Sequence, residues 1–175
     1  MIEALRDGGA DLAISLRQGS SDHIRRRRTI TKLLIFASAN LAVVALYQIG
    51  VLRKLRQPRW QNFDAGKVNG SSQAYSFLST PDGFLGLASY SATACLVAAG
   101  PETRWRDNPL LAICMTAKLF GDAAYAGKLT LDEINRYKCF SVWSLGAAAA
   151  TFAALPLAFP ECKAAFRWLR SSGPE

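Results

Sequence analysis

Cys139 is the residue of this chain best placed to do chemistry. It stands at the head of an apolar segment with Arg136 and Lys138 close by. A helix N-terminus and adjacent cations favour a thiolate where the site is exposed. Such a thiolate attacks disulfides and forms mixed disulfides. Cys95 and Cys114 lie inside other apolar segments, where cysteine acts as a small apolar filler. No CxxC occurs, and His23 is the single histidine, so the residue types argue against a side-chain metal centre. Lys118 and Asp122 form a second pair, four residues apart and therefore on one helical face. In hydrocarbon they predict a mutual ion pair, or Lys118 reaching for the nearer surface, ahead of a proton or ligand contact.

The elements that must position these groups are apolar helices. The 175 residues are 50% hydrophobic and 19% charged, and the charge falls in short blocks. Four segments, 33–52, 81–100, 109–126 and 139–158, each approach the roughly 20 residues that cross a bilayer. The fold class expected is an all-α integral membrane protein, a four-transmembrane-helix bundle. Its divisions are a basic cytoplasmic arm over 1–32, the bundle over 33–160 and an amphipathic cytoplasmic tail over 161–175. The net charge of +8 is explained by Lys and Arg beside the spans, above all Arg25 to Arg28, and not by nucleic acid. Residues 1–28 lack the apolar core of a signal peptide, so the first span is expected to act as an uncleaved anchor.

Several details follow from the punctuation. Gly8-Gly9 interrupts a helix in the arm, which reads as a short interfacial helix or partly ordered segment. Asn40 and Gln48 are the polar exceptions of the first span and should face other helices. Arg59 and Trp60 follow that span at the interface. The connector over 57–80 is long enough to form a lid, with a short helix over 73–78 capped by Ser71 or Ser72. Thr130 and Glu133 have the spacing of a capping box and predict a helix start. Gly146, Ala150 and Ala154 favour close packing. Lys and Arg are modestly more numerous on the side holding both termini, which places the termini inside. Cys139 and the connector then share the outer side.

The order of elements resembles the integral-membrane vitamin K epoxide reductase family. The local match runs from Val68-Asn69-Gly70-Ser71-Ser72 through Ser76, Pro81-Asp82, Gly86 and Tyr90, and resumes at Cys139-Phe140-Ser141-Val142. The resemblance implies a four-helix bundle around a quinone, with a long outer loop after the first span and a CxxC at the start of the fourth. It places the first active cysteine on Cys139 and the second on Val142. The loop cysteine falls on Ser71 or Ser72, and its upstream partner falls near Phe63 or Asp64. The quinone-contacting asparagine falls on Asp82, and a tyrosine one turn past the CxxC falls on Gly146. Three of four relay cysteines are thus replaced, and dithiol exchange needs two thiols that can pair.

Three functions are compatible with this pattern. The first is a non-catalytic accessory subunit of a membrane complex, in a bacterial inner membrane or a photosynthetic or respiratory one, with other membrane subunits and the bilayer as partners. The second is a quinone-linked oxidoreductase in which Cys139 borrows a thiol from a periplasmic redox partner. The third is a quinone-, pigment- or lipid-binding helper. In that case Asn69, Asp82, Tyr90 and Trp143 line the mouth of its pocket, although Tyr90 and Trp143 equally suit interfacial anchoring.

Overall fold

Ser21 starts the first long helix: its Oγ accepts the Ile24 N–H at 3.3 Å, satisfying one of the orphan donors of a helix start. In the computed structural model, which describes residues 2–58, 62–75, 77 and 79–172, that helix is the second of seven α-helices. They are α1 (Ile2–Gln18), α2 (Asp22–Gln48), α3 (Ala65–Asn69), α4 (Asp82–Ala98), α5 (Arg104–Asp107), α6 (Pro109–Asp132) and α7 (Val142–Ser171). A 3-10 turn spans Ser72–Tyr75, and a π-helical turn, Glu133–Tyr137, extends α6. Arg59, Trp60 and Ser76 lie outside the described residues.

Among the described residues three helices, not four, are long and apolar enough to cross a membrane: α2, α6 with its π turn, and α7. This corrects the expectation of four spans. The segment expected to be the second span is α4, whose 17 residues reach about 25 Å at 1.5 Å each, short of the roughly 30 Å hydrocarbon layer. Both ends are fixed by specific chemistry. Pro81 precedes the helix and Asp82 is bonded to Gln48; at the other end Ala99 turns extended and Gly100 takes φ +79°. Glycine alone adopts that conformation freely.

Other boundaries also differ from the sequence expectation. α1 runs unbroken through Gly8-Gly9, where the helical bonds outweigh the roughly 1 kcal/mol cost of each glycine. α2 begins at Asp22, so the basic run is helical, and it stops at Gln48 before Gly50 at φ +78°. No helix starts at Thr130: its hydroxyl bonds the Ala126 carbonyl within α6. α7 continues through Pro156 and Pro160 to Ser171, absorbing the expected tail.

The core is built from Ile30, Leu34 and Ala37 of α2, Tyr90 and Val97 of α4, Met115 and Leu119 of α6, and an alanine row on α7 including Ala150, Ala154 and Ala158. Small residues let the helices approach: a Cβ at Gly146 would stand 2.9 Å from Asn40 Oδ1. α4 runs back along α2, so the start of α2, the end of α4 and the last turns of α7 meet at one end of the bundle. There Arg28 bonds the Leu16 carbonyl and Trp105 meets Trp168 edge-on at 6.3 Å.

That end is closed by a buried ionic knot the sequence did not announce. Arg104, fully buried, grips Glu161 with Nε at 2.7 Å and Nη2 at 3.1 Å. Its Nη1 takes the Leu96 carbonyl at 2.6 Å and the Ala99 carbonyl, capping the C-terminus of α4. Arg27 lies 3.5 Å from the same carboxylate and donates to the Gly100 and Pro101 carbonyls.

Candidate functional site

At the opposite end, α2, α4, α6 and α7 leave a cleft of about 70 Å³. Leu41, Val44, Gly86, Ala147 and Ala148 form apolar walls, and Asn69, Asp82, Tyr90, Glu133 and Ser144 bring polar atoms to it. A more polar recess beneath the connector shares Asn69, Asp82, Tyr125, Leu129, Glu133 and Ser144 with it, so the two are continuous. The cleft's volume is well below the roughly 300–1,000 Å³ of small-molecule sites.

A belt of hydrogen bonds roofs this space. Asp64 caps α3 by accepting the Lys67 N–H, and α3 then presents Asn69. Asn69 Nδ2 donates to the Ala65 carbonyl at 3.0 Å and to Ser141 Oγ at 2.8 Å; its Oδ1 accepts Ser144 Oγ at 3.1 Å. Ser141 caps α7, and its own N–H goes to Glu133 Oε2 at 3.1 Å. Gln48, buried as expected, donates to Asp82 Oδ1 and the Asn69 carbonyl, while its Oε1 accepts the Gly83 N–H at 3.1 Å. Burial raises the Asp82 carboxyl above its ordinary range, against the bonds from Gln48 and Gly83 that lower it.

Deeper in the bundle, Lys118 and Asp122 form the expected ion pair. Asp122 also accepts Ser89 Oγ at 2.7 Å and Thr93 Oγ1 at 2.6 Å, so the pair fastens α4 to α6. Tyr90, 6% exposed, bonds Thr151 Oγ1 at 2.6 Å.

Cys139 stands above the belt and is not a cleft-lining residue. The connector folds back beside it: Phe63 and Phe140 form an isolated parallel bridge, with Asp64 N to Phe140 O at 3.1 Å and Phe140 N to Asn62 O at 2.8 Å. Cys139 is buried at 7% exposure. Desolvation pushes its thiol above the ordinary value, only partly opposed by Lys67. The exposure on which a thiolate depended is absent here. All four cysteines are free. Cys114 sits near the start of α6 and Cys162 well along α7, each about 30–35 Å from Cys139 by helical rise. Cys95 is near the far end of α4. Disulfide pairing needs Cα atoms within about 7 Å. Val142 stands at the start of α7, and Ser71 and Ser72 lie in the connector.

Of the residues singled out by sequence, Asn69, Asp82 and Tyr90 are brought together at the cleft. Trp143 is elsewhere, in a recess with Leu52 and Lys54, donating Nε1 to the Arg56 carbonyl at 2.9 Å. Glu133 and Ser144 were missed as site residues. Glu133 carried the signal of a capping box, which misdirected it. Among the described residues no group of three or more His, Cys, Asp or Glu is arranged to hold a metal ion.

A quinone headgroup offers two carbonyl acceptors on an apolar ring. The apolar walls suit such a ring, although the space of about 70 Å³ is smaller than a headgroup site requires. The donors are more restrictive. Both Asn69 amide protons are committed, as are the hydroxyls of Ser89, Thr130 and Ser144. Thr151 donates to the Ala147 carbonyl at 2.8 Å, which leaves Tyr90 donating to Thr151. The free capacity that remains is on the Asp82 and Glu133 carboxyls, and on the Tyr125 phenol at the half-exposed mouth. By polar chemistry the Tyr125 phenol, and those carboxyls where protonated, are the groups that would donate to a quinone.

No curated protein matches the chain in sequence. Residues 28–159, about three quarters of the chain, match the vitamin K epoxide reductase family. A membrane helical bundle with this element order, and a cleft roofed by the connector, agree with that match. The chain belongs to the vitamin K epoxide reductase family.

Proposed function

We propose that the chain is a non-catalytic member of its family: an accessory subunit of a membrane complex that keeps a headgroup-binding cleft and has lost the thiol relay. The observation that carries this is the isolation of Cys139, buried at 7% exposure with the other described thiols on distant helical turns. Thiol–disulfide cycling needs an accessible thiolate and a partner sulfur, and neither condition is met within the chain. The apolar walls of the cleft support retention of a bound quinone, pigment or lipid headgroup as the conserved part of the role. In this reading both termini face the cytoplasm and the connector faces the outer compartment.

Two measurements test the reading. Gentle detergent extraction should recover the chain at stoichiometric levels with a larger complex, and recovery as a free monomer under several mild conditions would overturn it. Dithiothreitol-driven quinone reduction by the purified chain should be at background. A rate above background that vanishes in Cys139→Ser would instead establish the oxidoreductase with a borrowed thiol.

A further inference from the structure

The outward face of α7 carries a seam that the bundle leaves uncovered. Phe152, Phe159 and Phe166 recur every seven residues, two helical turns, and each is about half exposed. Pro156, Phe159, Pro160 and Phe166 line an apolar groove of about 550 Å³, and Lys163 and Arg167 complete its lining. Arg167 also borders a second recess, of about 420 Å³, with Trp105, Trp168 and Ser171. Depth in the bilayer explains this order. At 1.5 Å per residue, α7 crosses a roughly 30 Å hydrocarbon layer in about 20 residues, from Val142 to about Glu161. Phe159 then lies in the last turn within hydrocarbon. Lys163, Arg167 and Arg170 emerge at headgroup level, where Trp105 and Trp168 suit the interface.

These cations have no carboxylate of their own. Among the described residues Lys163, Arg167 and Arg170 join no salt bridge. Arg167 Nε donates to the Lys163 carbonyl at 3.4 Å, which leaves its charge unbalanced. Glu161, the only acidic residue of α7, is buried and held by Arg104 and Arg27. A positive end therefore stands beside an apolar groove that opens to lipid. A soluble anion would satisfy the charge and leave the groove unfilled, and an apolar helix would do the reverse. Negative charge and hydrocarbon joined in one molecule at this depth is the chemistry of an anionic phospholipid. We propose that this seam of α7 binds one anionic glycerophospholipid. An acyl chain lies along Pro156, Phe159 and Phe166, the phosphate sits between Lys163 and Arg167, and the headgroup enters the recess beside Trp105 and Trp168. The site is at the opposite end of the bundle from the cleft and does not depend on what the cleft holds.

The experiment uses the full chain in a mild detergent, titrated with phosphatidylglycerol or with phosphatidylcholine of the same acyl chains. Native mass spectrometry counts the lipids bound. Phosphatidylglycerol should bind first as a single adduct, several-fold more tightly than phosphatidylcholine. Lys163→Gln and Arg167→Gln, both at exposed positions, should each weaken that adduct about fivefold. Arg53→Gln removes an exposed cation at the cleft end of the bundle and should leave the adduct unchanged. Equal affinity for the two lipids would overturn the inference. An equal loss in Arg53→Gln would also overturn it, by reducing the effect to net charge. Displacement of the lipid by millimolar glycerophosphoglycerol would show that the headgroup alone suffices and that the groove plays no part. A second copy of the chain retained in place of the lipid would overturn it in favour of a dimer interface. The comparison of the two lipids on the parent chain decides the matter even if a variant fails to fold.

Discussion

Replacing Glu161 by glutamine should be among the most damaging isosteric changes in this chain. The carboxylate is 2% exposed and is the shared counter-ion of Arg104 and Arg27, at 0% and 2% exposure. Its oxygens lie 2.7 Å and 3.1 Å from Arg104 nitrogens and 3.5 Å from Arg27 Nε. Glutamine fills the same volume, so no cavity term enters. What is lost is charge: two buried guanidiniums remain with no counter-ion bonded to them. Breaking a buried pair by removing one partner costs about 3–5 kcal/mol. Arg104 retains the Leu96 and Ala99 carbonyls and Arg27 those of Gly100 and Pro101, so the low end, about 3 kcal/mol, is expected. Removing one cation as well should return part of the loss. Arg27→Met combined with Glu161→Gln should therefore fall short of the sum of the single effects by about 0.5–3 kcal/mol. Reversible unfolding in mixed micelles, titrated with sodium dodecyl sulfate and followed by tryptophan emission, measures all three variants. A Glu161→Gln loss under about 1 kcal/mol, or strict additivity in the double variant, would refute the electrostatic account.

Cys139 should alkylate slowly with a membrane-impermeant maleimide at neutral pH, because burial raises its thiol and only the thiolate reacts. Its rate should climb about tenfold per pH unit, and Lys67→Met should slow it further by removing the charge that favours the thiolate. A neutral-pH rate equal to that of an unperturbed thiol would show that the site is open. At the junction of α2 and α4, Gly83→Ala should cost about 1–3 kcal/mol, because its Cβ would meet the Ala45 backbone N at 2.9 Å and Cα at 3.0 Å. Gly86→Ala should cost less, since its Cβ meets a Leu41 methyl that can rotate away. Equal losses in the same unfolding assay would contradict this ordering.

The sequence by itself determined what hydrophobicity and spacing dictate. Long apolar runs made α2, α6 and α7 membrane helices, since bilayer thickness converts directly into residue count. The four-residue spacing of Lys118 and Asp122 fixed their pairing, and isolation from CxxC partners marked Cys139 as a lone thiol. Tertiary structure decided what depends on where backbone and charge find partners. α4 stopped at 17 residues because Gln48 holds one end and Arg104 the other, contacts 34 residues apart or set by a carbonyl cap that hydropathy does not register. Glu133, legible only as a capping signal, became a cleft-lining carboxyl once α6 ran on into a π turn and brought it against Ser141. Arg27, Arg104 and Glu161 are far apart in the chain and looked like ordinary interfacial charges. Folding buried them together because each supplies the hydrogen bonds and countercharge that the others lose with water.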